Sequence, residues 1–221
     1  LASLFLLISV IFSFSLSSYR HIFSLYGFLT FLLYFLNAIE FIAAIVLVFF
    51  ALALHFAKKS GSKHIRIGAN VAAFVASIGF LLHLFPGFNN ILLLDSVYVS
   101  DGAISYTKYL NFDKGMLGLA IIGIFVSSRR RLTQDDFWAV TFAFSFAWGA
   151  ALLVANVSGL VTIDPKVPDF AFTWIVTNLL ITCVAEEAFF RGFVQHHISE
   201  KMSAHRHGVV ITFLSSGLLF G

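Results

Sequence analysis

Three side chains able to do acid–base or ion-pair chemistry crowd one stretch of an otherwise apolar sequence, Glu186-Glu187-Ala188-Phe189-Phe190-Arg191. Glu187 and Arg191 stand four apart, so on a helix they share a face and can pair. Glu186 is turned about 100° from Glu187 and can look into a cavity instead. With Arg191 holding Glu187, Glu186 is suited to take a proton from water as a general base. If the Glu187–Arg191 pair is buried, removing one partner costs roughly 3–5 kcal/mol. Thr182 and Asn178 lie one and two turns before Glu186 and extend its face as a polar track. Cys183, a turn before Glu187, has no histidine in local reach and reads as packing.

The setting of these residues is a membrane. Hydrophobic residues make up 59% of the 221 and charged residues only 11%, against roughly 25% charged in a soluble domain. Mean hydropathy is +0.93. Such a chain cannot cover itself with polar groups, so the bilayer is its solvent and membrane lipid its first partner. The 28 Phe suit lipid-facing helix surfaces. The formal charge is +3, but the basic residues sit at the ends of apolar runs as membrane anchors do, which excludes a nucleic-acid partner. One cysteine excludes a disulfide framework.

About 20 apolar residues cross the hydrocarbon, and the runs predict an all-α bundle of about seven spans. These lie near Leu1–Ser17, Ile22–Leu36, Ala38–Ala57, Ile67–Phe85, Gly115–Ser128, Phe137–Val161 and Phe170–His196, with an eighth starting near Gly208. The links at 58–66, at Arg129-Arg130-Arg131 and at 201–207 are basic; those at 86–114 and 164–169 are mixed or acidic. This alternation is the positive-inside pattern. It puts Arg20 inside, favours a hairpin over one long helix in Ile22–Ala57, and places the first residue outside. Residues 86–114 form the one long polar excursion, in which Ile91–Ser100 reads as an interfacial strand or helix. Thr133 is the expected N-cap of the sixth span, with Asp135 and Asp136 in its first turn. Both ends of the sequence lie within apolar runs, so it reads as part of a longer chain: a single integral membrane domain over 1–221, with the start of a catalytic core at 170–221.

Of 14 basic and 11 acidic side chains, only Glu40, Glu186, Glu187 and Arg191 fall inside expected spans. Three charges at mid-membrane cost about 7–10 kcal/mol on insertion scales, which points to function. Counting from Phe170 outside, Glu186 lies about 24 Å along the axis, in the cytoplasmic third of a core about 30 Å thick.

Glu-Glu-x-x-x-Arg on a membrane helix resembles the first motif of the CAAX prenyl-endopeptidase and bacteriocin-processing family, often called CPBP or Abi. The family's further motifs are Phe-x-x-x-His and His-x-x-x-Asn/Asp on later helices. Phe220 is placed to open the second, whose histidine falls three residues past Gly221. The resemblance covers about 170–221. It implies a multi-pass endopeptidase of the bacterial cytoplasmic membrane that cuts peptide or lipidated-protein substrates near the cytoplasmic face. Glutamate-activated water is the expected agent, with Glu186 as base or water ligand, Glu187 its partner carboxylate and Arg191 the cation that orients Glu187. It leaves open whether a divalent metal such as zinc takes part. The alternatives are a proton-coupled secondary transporter using the glutamates as a relay and a non-catalytic immunity or scaffold protein.

The other titratable residues have plainer readings. His196, His197, His205 and His207 adjoin a cytoplasmic link with no carboxylate partner expected at metal spacing, and read as a titrating cluster that faces lipid headgroups instead of a zinc site. His55 and His83 close apolar runs as interfacial anchors. Glu40 is loop-proximal, and Tyr19, Tyr26, Trp138 and Trp174 fit an aromatic belt.

Overall fold

The computed structural model describes residues 1–16, 18–125, 133–161 and 164–202. Apolar runs become helices because hydrocarbon offers no partner for a backbone amide, so each segment must bond to itself. The helices are α1 (Ala2–Ser13), α2 (Tyr19–Phe35), α3 (Phe41–Lys59), α4 (Lys63–Leu81), α5 (Phe112–Phe125), α6 (Gln134–Val157) and the long α7 (Ala171–Met202). Four of them, α3, α4, α6 and α7, are long and apolar enough to cross a membrane. The others have 12, 17 and 14 residues, so four rather than about seven expected spans meet that standard among the described residues. The expected eighth lies outside them.

The α2–α3 hairpin forms as the charge pattern requires. Asn37 takes the left-handed conformation (φ 54°), and the Ala38 amide donates back to the Leu33 carbonyl at 2.9 Å, closing α2 with a Schellman turn. Thr133 caps α6 with a reciprocal bond to Asp136. No residue of α6 is buried; side chains such as Phe142 and Phe146 point outward, as lipid permits.

The central element is α5. Its Phe112, Met116, Leu117, Leu119 and Ile121 are fully buried, and it packs against α1, α2, α3, α4 and α7. Close approach to α7 depends on Gly118, where a Cβ would stand 3.2 Å from both the Cα and the N of Ala185. Small residues at such a crossing let two backbones meet.

The expectation of an all-α chain is corrected by the polar excursion before α5. There β1 (Ile91–Val97) and β2 (Tyr106–Leu110) pair antiparallel, with Ile91 opposite Leu110 and Val97 opposite Tyr106. A two-stranded ribbon is marginal alone, and this one leans on the start of α7. The Trp174 Nε1 donates to Tyr106 Oη at 3.1 Å, and Ser100 Oγ donates to Asp164 Oδ2 at 3.0 Å. The two non-basic links therefore touch. At the other end of the bundle, Lys58 Nζ donates to the Ile124 carbonyl, Tyr19 Oη meets His55 Nδ1 at 2.5 Å, and His197 Nε2 meets Asn70 Oδ1 at 2.8 Å.

Candidate active site

The helix carrying the glutamates is not uniform. Two π-helical segments, Asn178–Cys183 and Ala188–Gln195, flank a short α-helical piece, Val184–Glu187. Wide turns of this kind are rare and gather at functional sites; their backbone cost is met only where packing over-determines them. Here Ala185 and Ala188 are buried, and α5 lies against them through Gly118. The sequence reading of an even α-helix missed these turns, since runs of 6 and 8 residues are too short for their apolar spacing to separate π from α turns.

Glu186 is half-buried and lines a groove of about 490 Å³ between α4 and α7. Phe74, Ile78, Leu81 and Leu82 form one wall, and Phe189, Phe190 and Val194 the other; Lys114 is the second charged group on the lining. Phe74 stacks near Phe189 and Phe193, with ring centroids 5.7 and 6.4 Å away, which fixes the two walls to each other.

Glu187 and Arg191 pair as the spacing predicts, Oε2 to Nε 2.8 Å. Their side chains are 42% and 71% exposed, however, so the pair sits on the flank of α7 and the buried-pair expectation is corrected. A pair open to water contributes roughly 0–1 kcal/mol. The 100° step between neighbouring helix positions has separated the two glutamates, one toward the groove and one away from it.

The polar track closes on a residue that sequence reasoning missed. Lys108, from β2, donates through Nζ to Asn178 Oδ1 at 2.8 Å and Thr182 Oγ1 at 3.3 Å. Burial is the largest cause lowering the Lys108 pKa, with the Lys114 charge adding to it, while Cys183 and Glu186 pull the other way. Lys108 lies 70 positions before Asn178, so no local spacing could have found it; the mixed charge of the 86–114 link was the only hint.

A second unanticipated pair stands beside it. Asp113, at the start of α5 and 2% exposed, meets His83 Nδ1 at 2.5 Å. His83 ends α4 in the left-handed conformation (φ 56°), with the Leu84 amide returning to Gly79 O at 2.9 Å. A non-glycine residue in that region costs about 1–3 kcal/mol, offset here by the bond to a buried carboxylate. His83 is thus a structural partner of α5 rather than a plain interfacial anchor.

The C-terminal histidines also differ from expectation. His196 Nε2 lies 3.5 Å from Glu200 Oε1, a carboxylate four residues on, and His197 Nδ1 donates to the Phe193 carbonyl at 2.7 Å. Among the described residues no three His, Cys, Asp or Glu side chains gather to hold a metal ion. His205, His207 and Phe220 lie outside the described residues. Glu40 precedes α3, its amide donating to Gly87 O at 2.7 Å, and stays loop-proximal.

Apolar spans around a glutamate-bearing helix define an integral membrane protein of the helical class. Residues 168–221 match the model of the family described as type II CAAX prenyl endopeptidase, Rce1-like. The match covers the segment that carries Glu186-Glu187-x-x-x-Arg191 and bears out its resemblance to the CAAX-protease family there; residues 1–167 lie outside it. No curated protein and no solved structure matches the chain.

Proposed function

We propose that the protein is an intramembrane endopeptidase of the bacterial cytoplasmic membrane, cutting peptide or prenylated-protein substrates near the cytoplasmic face with water activated by Glu186. The observation that carries this reading is the position of Glu186 on the wall of a largely apolar groove whose one other charged lining residue is Lys114. Phe, Ile and Leu walls suit a hydrophobic segment or lipid chain, and their low polarity strengthens the interactions of the carboxylate.

The reaction follows from the carboxylate and water. Glu186 accepts a proton from a water molecule as the oxygen attacks the scissile carbonyl carbon. The tetrahedral intermediate collapses with rupture of the C–N bond, and the proton held by Glu186 passes to the departing amine. One water is consumed, and a carboxylic acid and an amine are released. Glu187, turned away and paired with Arg191, orients this stretch of α7 and takes no proton. Asn178, Thr182 and Lys108 extend the polar path on the side of the hairpin.

The test is Glu186→Gln in the full-length protein, which keeps size and removes the base. Cleavage of a membrane-tethered reporter peptide should fall by roughly 10²–10⁴-fold, with the melting temperature in detergent held or raised. A Glu186→Gln protein that cuts at the wild-type rate would end the assignment. Loss of proton-coupled uptake without any peptide cleavage in either form would favour a transporter instead.

A further inference from the structure

We propose that the groove along the α2–α3 hairpin holds one acyl chain of an anionic phospholipid, whose phosphate is gripped by Arg20 and Lys59. The site shares no lining residue with the Glu186 groove and does not rest on the peptidase reading. Its volume is about 430 Å³, with Phe23, Gly27 and Phe31 on one wall and Ala44, Val48 and Leu52 on the other.

The interior suits hydrocarbon. The hydroxyls at its middle are already committed, Thr30 Oγ1 donating to the Tyr26 carbonyl at 2.9 Å and Tyr26 Oη to the Leu47 carbonyl at 3.4 Å. No donor is left there for a polar ligand. A Cβ added at Gly27 would meet no atom within 4 Å, so the floor of the groove is open. From Phe23 to Tyr34 the lining runs about 16 Å along α2. One leaflet contributes about 15 Å of a hydrocarbon core about 30 Å thick, so the groove has the length of a single leaflet's chain.

One end of the groove is charged. Arg20 precedes Phe23 by three residues and Gly27 by seven, and Lys59 follows Leu52 by seven. At about 100° per residue, each continues the stripe that lines its wall, and both are exposed. Tyr19 joins the two parts: its ring centroid lies 5.1 Å from that of Phe23, and Lys59 Nζ stands 5.7 Å from it. Lys58 is committed elsewhere, to the Ile124 carbonyl. Among the described residues no carboxylate pairs with Arg20 or Lys59. Glu40, the one acidic residue before Asp95, lies at the opposite end of the hairpin. A guanidinium fork and an ammonium at the mouth match a phosphate, and the chain below that phosphate enters apolar walls. A second copy docked by two-fold symmetry would present the same stripes, setting Arg20 and Lys59 against like charges, which disfavours it.

The test uses the full-length protein in neutral detergent micelles with phosphatidylglycerol that carries a photoactivatable group on one acyl chain. Adducts are mapped by peptide mass spectrometry. They should concentrate on Phe23–Tyr34 and Phe41–Leu52 over α6, whose side chains are also exposed. Unlabelled phosphatidylglycerol should compete roughly twenty-five-fold better than phosphatidylcholine, at about fivefold for each basic side chain near an anionic surface. The double variant Arg20→Gln, Lys59→Gln should bring that ratio to about one. Gly27→Leu fills the groove from a position without neighbours. It should remove the groove adducts with the melting temperature held or raised, and it tests the site even should the charge variant fail to fold. Groove adducts no denser than those on α6, or equal competition by the two lipids in the wild type, would overturn the proposal. Disulfide cross-linking between copies through Val48→Cys, in place of lipid adducts, would give the groove to a second copy and overturn it equally.

Discussion

Replacing Gly118 should disturb catalysis more than stability, because its missing side chain is what seats α7 against α5 next to Glu186. In Gly118→Ala the new Cβ would lie 3.1 Å from Val184 Cγ1 and 3.2 Å from both Ala185 Cα and Ala185 N. The valine methyl can yield by rotation, but the Ala185 backbone can retreat only by carrying α7 with it. Contacts this close force a displacement of a few tenths of an ångström, and at about 10²-fold in rate per 1 Å of misplacement a shift of about 0.3–0.5 Å gives roughly a four- to tenfold loss of kcat/KM. Overpacking costs roughly 1–3 kcal/mol, and exchanging glycine for alanine in a helix returns about 1 kcal/mol, so the net destabilisation is about 0–2 kcal/mol. Gly118→Val should lose most activity and melt well below the wild type. The measurements are reporter-peptide cleavage and thermal unfolding in detergent. Gly149→Ala, inside α6 and with nothing within 4 Å of the new Cβ, is the control and should keep wild-type activity while gaining up to about 1 kcal/mol of stability. A Gly118→Val protein with normal kcat/KM and normal melting would refute the packing argument.

Arg191→Ala should lower stability by at most about 1 kcal/mol if the open flank of α7 that carries the pair meets water; a loss of several kcal/mol in detergent unfolding would show that this flank faces hydrocarbon. His83→Ala leaves the Asp113 carboxylate buried without its imidazole, and a loss of roughly 3–5 kcal/mol in denaturant unfolding is expected; Asp113→Asn in the same background should recover part of it, and no recovery would count against the pair. Cysteines placed in the β1–β2 connection, such as Ser100→Cys, should react with an impermeant reagent added outside intact cells, whereas Ser62→Cys should not; the reverse pattern would invert the orientation and the cytoplasmic access drawn from it.

Much of the protein follows from local rules acting on the chain. Membrane residence is set by composition, because too few charges exist to cover a surface in water. The helices of the apolar runs, the α2–α3 turn and the Thr133 cap are likewise local, since each depends on residues within a few positions. The pairing of Glu187 with Arg191 is a matter of helix pitch, and so is the divergence of Glu186 from Glu187. None of this says which face of α7 the bundle covers. That was decided by α5, whose Gly118 admits the Ala185 backbone and so turns Glu186 toward a groove and Glu187 to the flank. The π turns also belong to the tertiary level, being backbone arrangements that packing must hold against the α form. Lys108 and the His83–Asp113 pair lay beyond sequence reading for a simpler reason. Their partners are 70 and 30 positions away, and only the return of the β-hairpin onto α7 and of α5 onto the end of α4 brings those charges together.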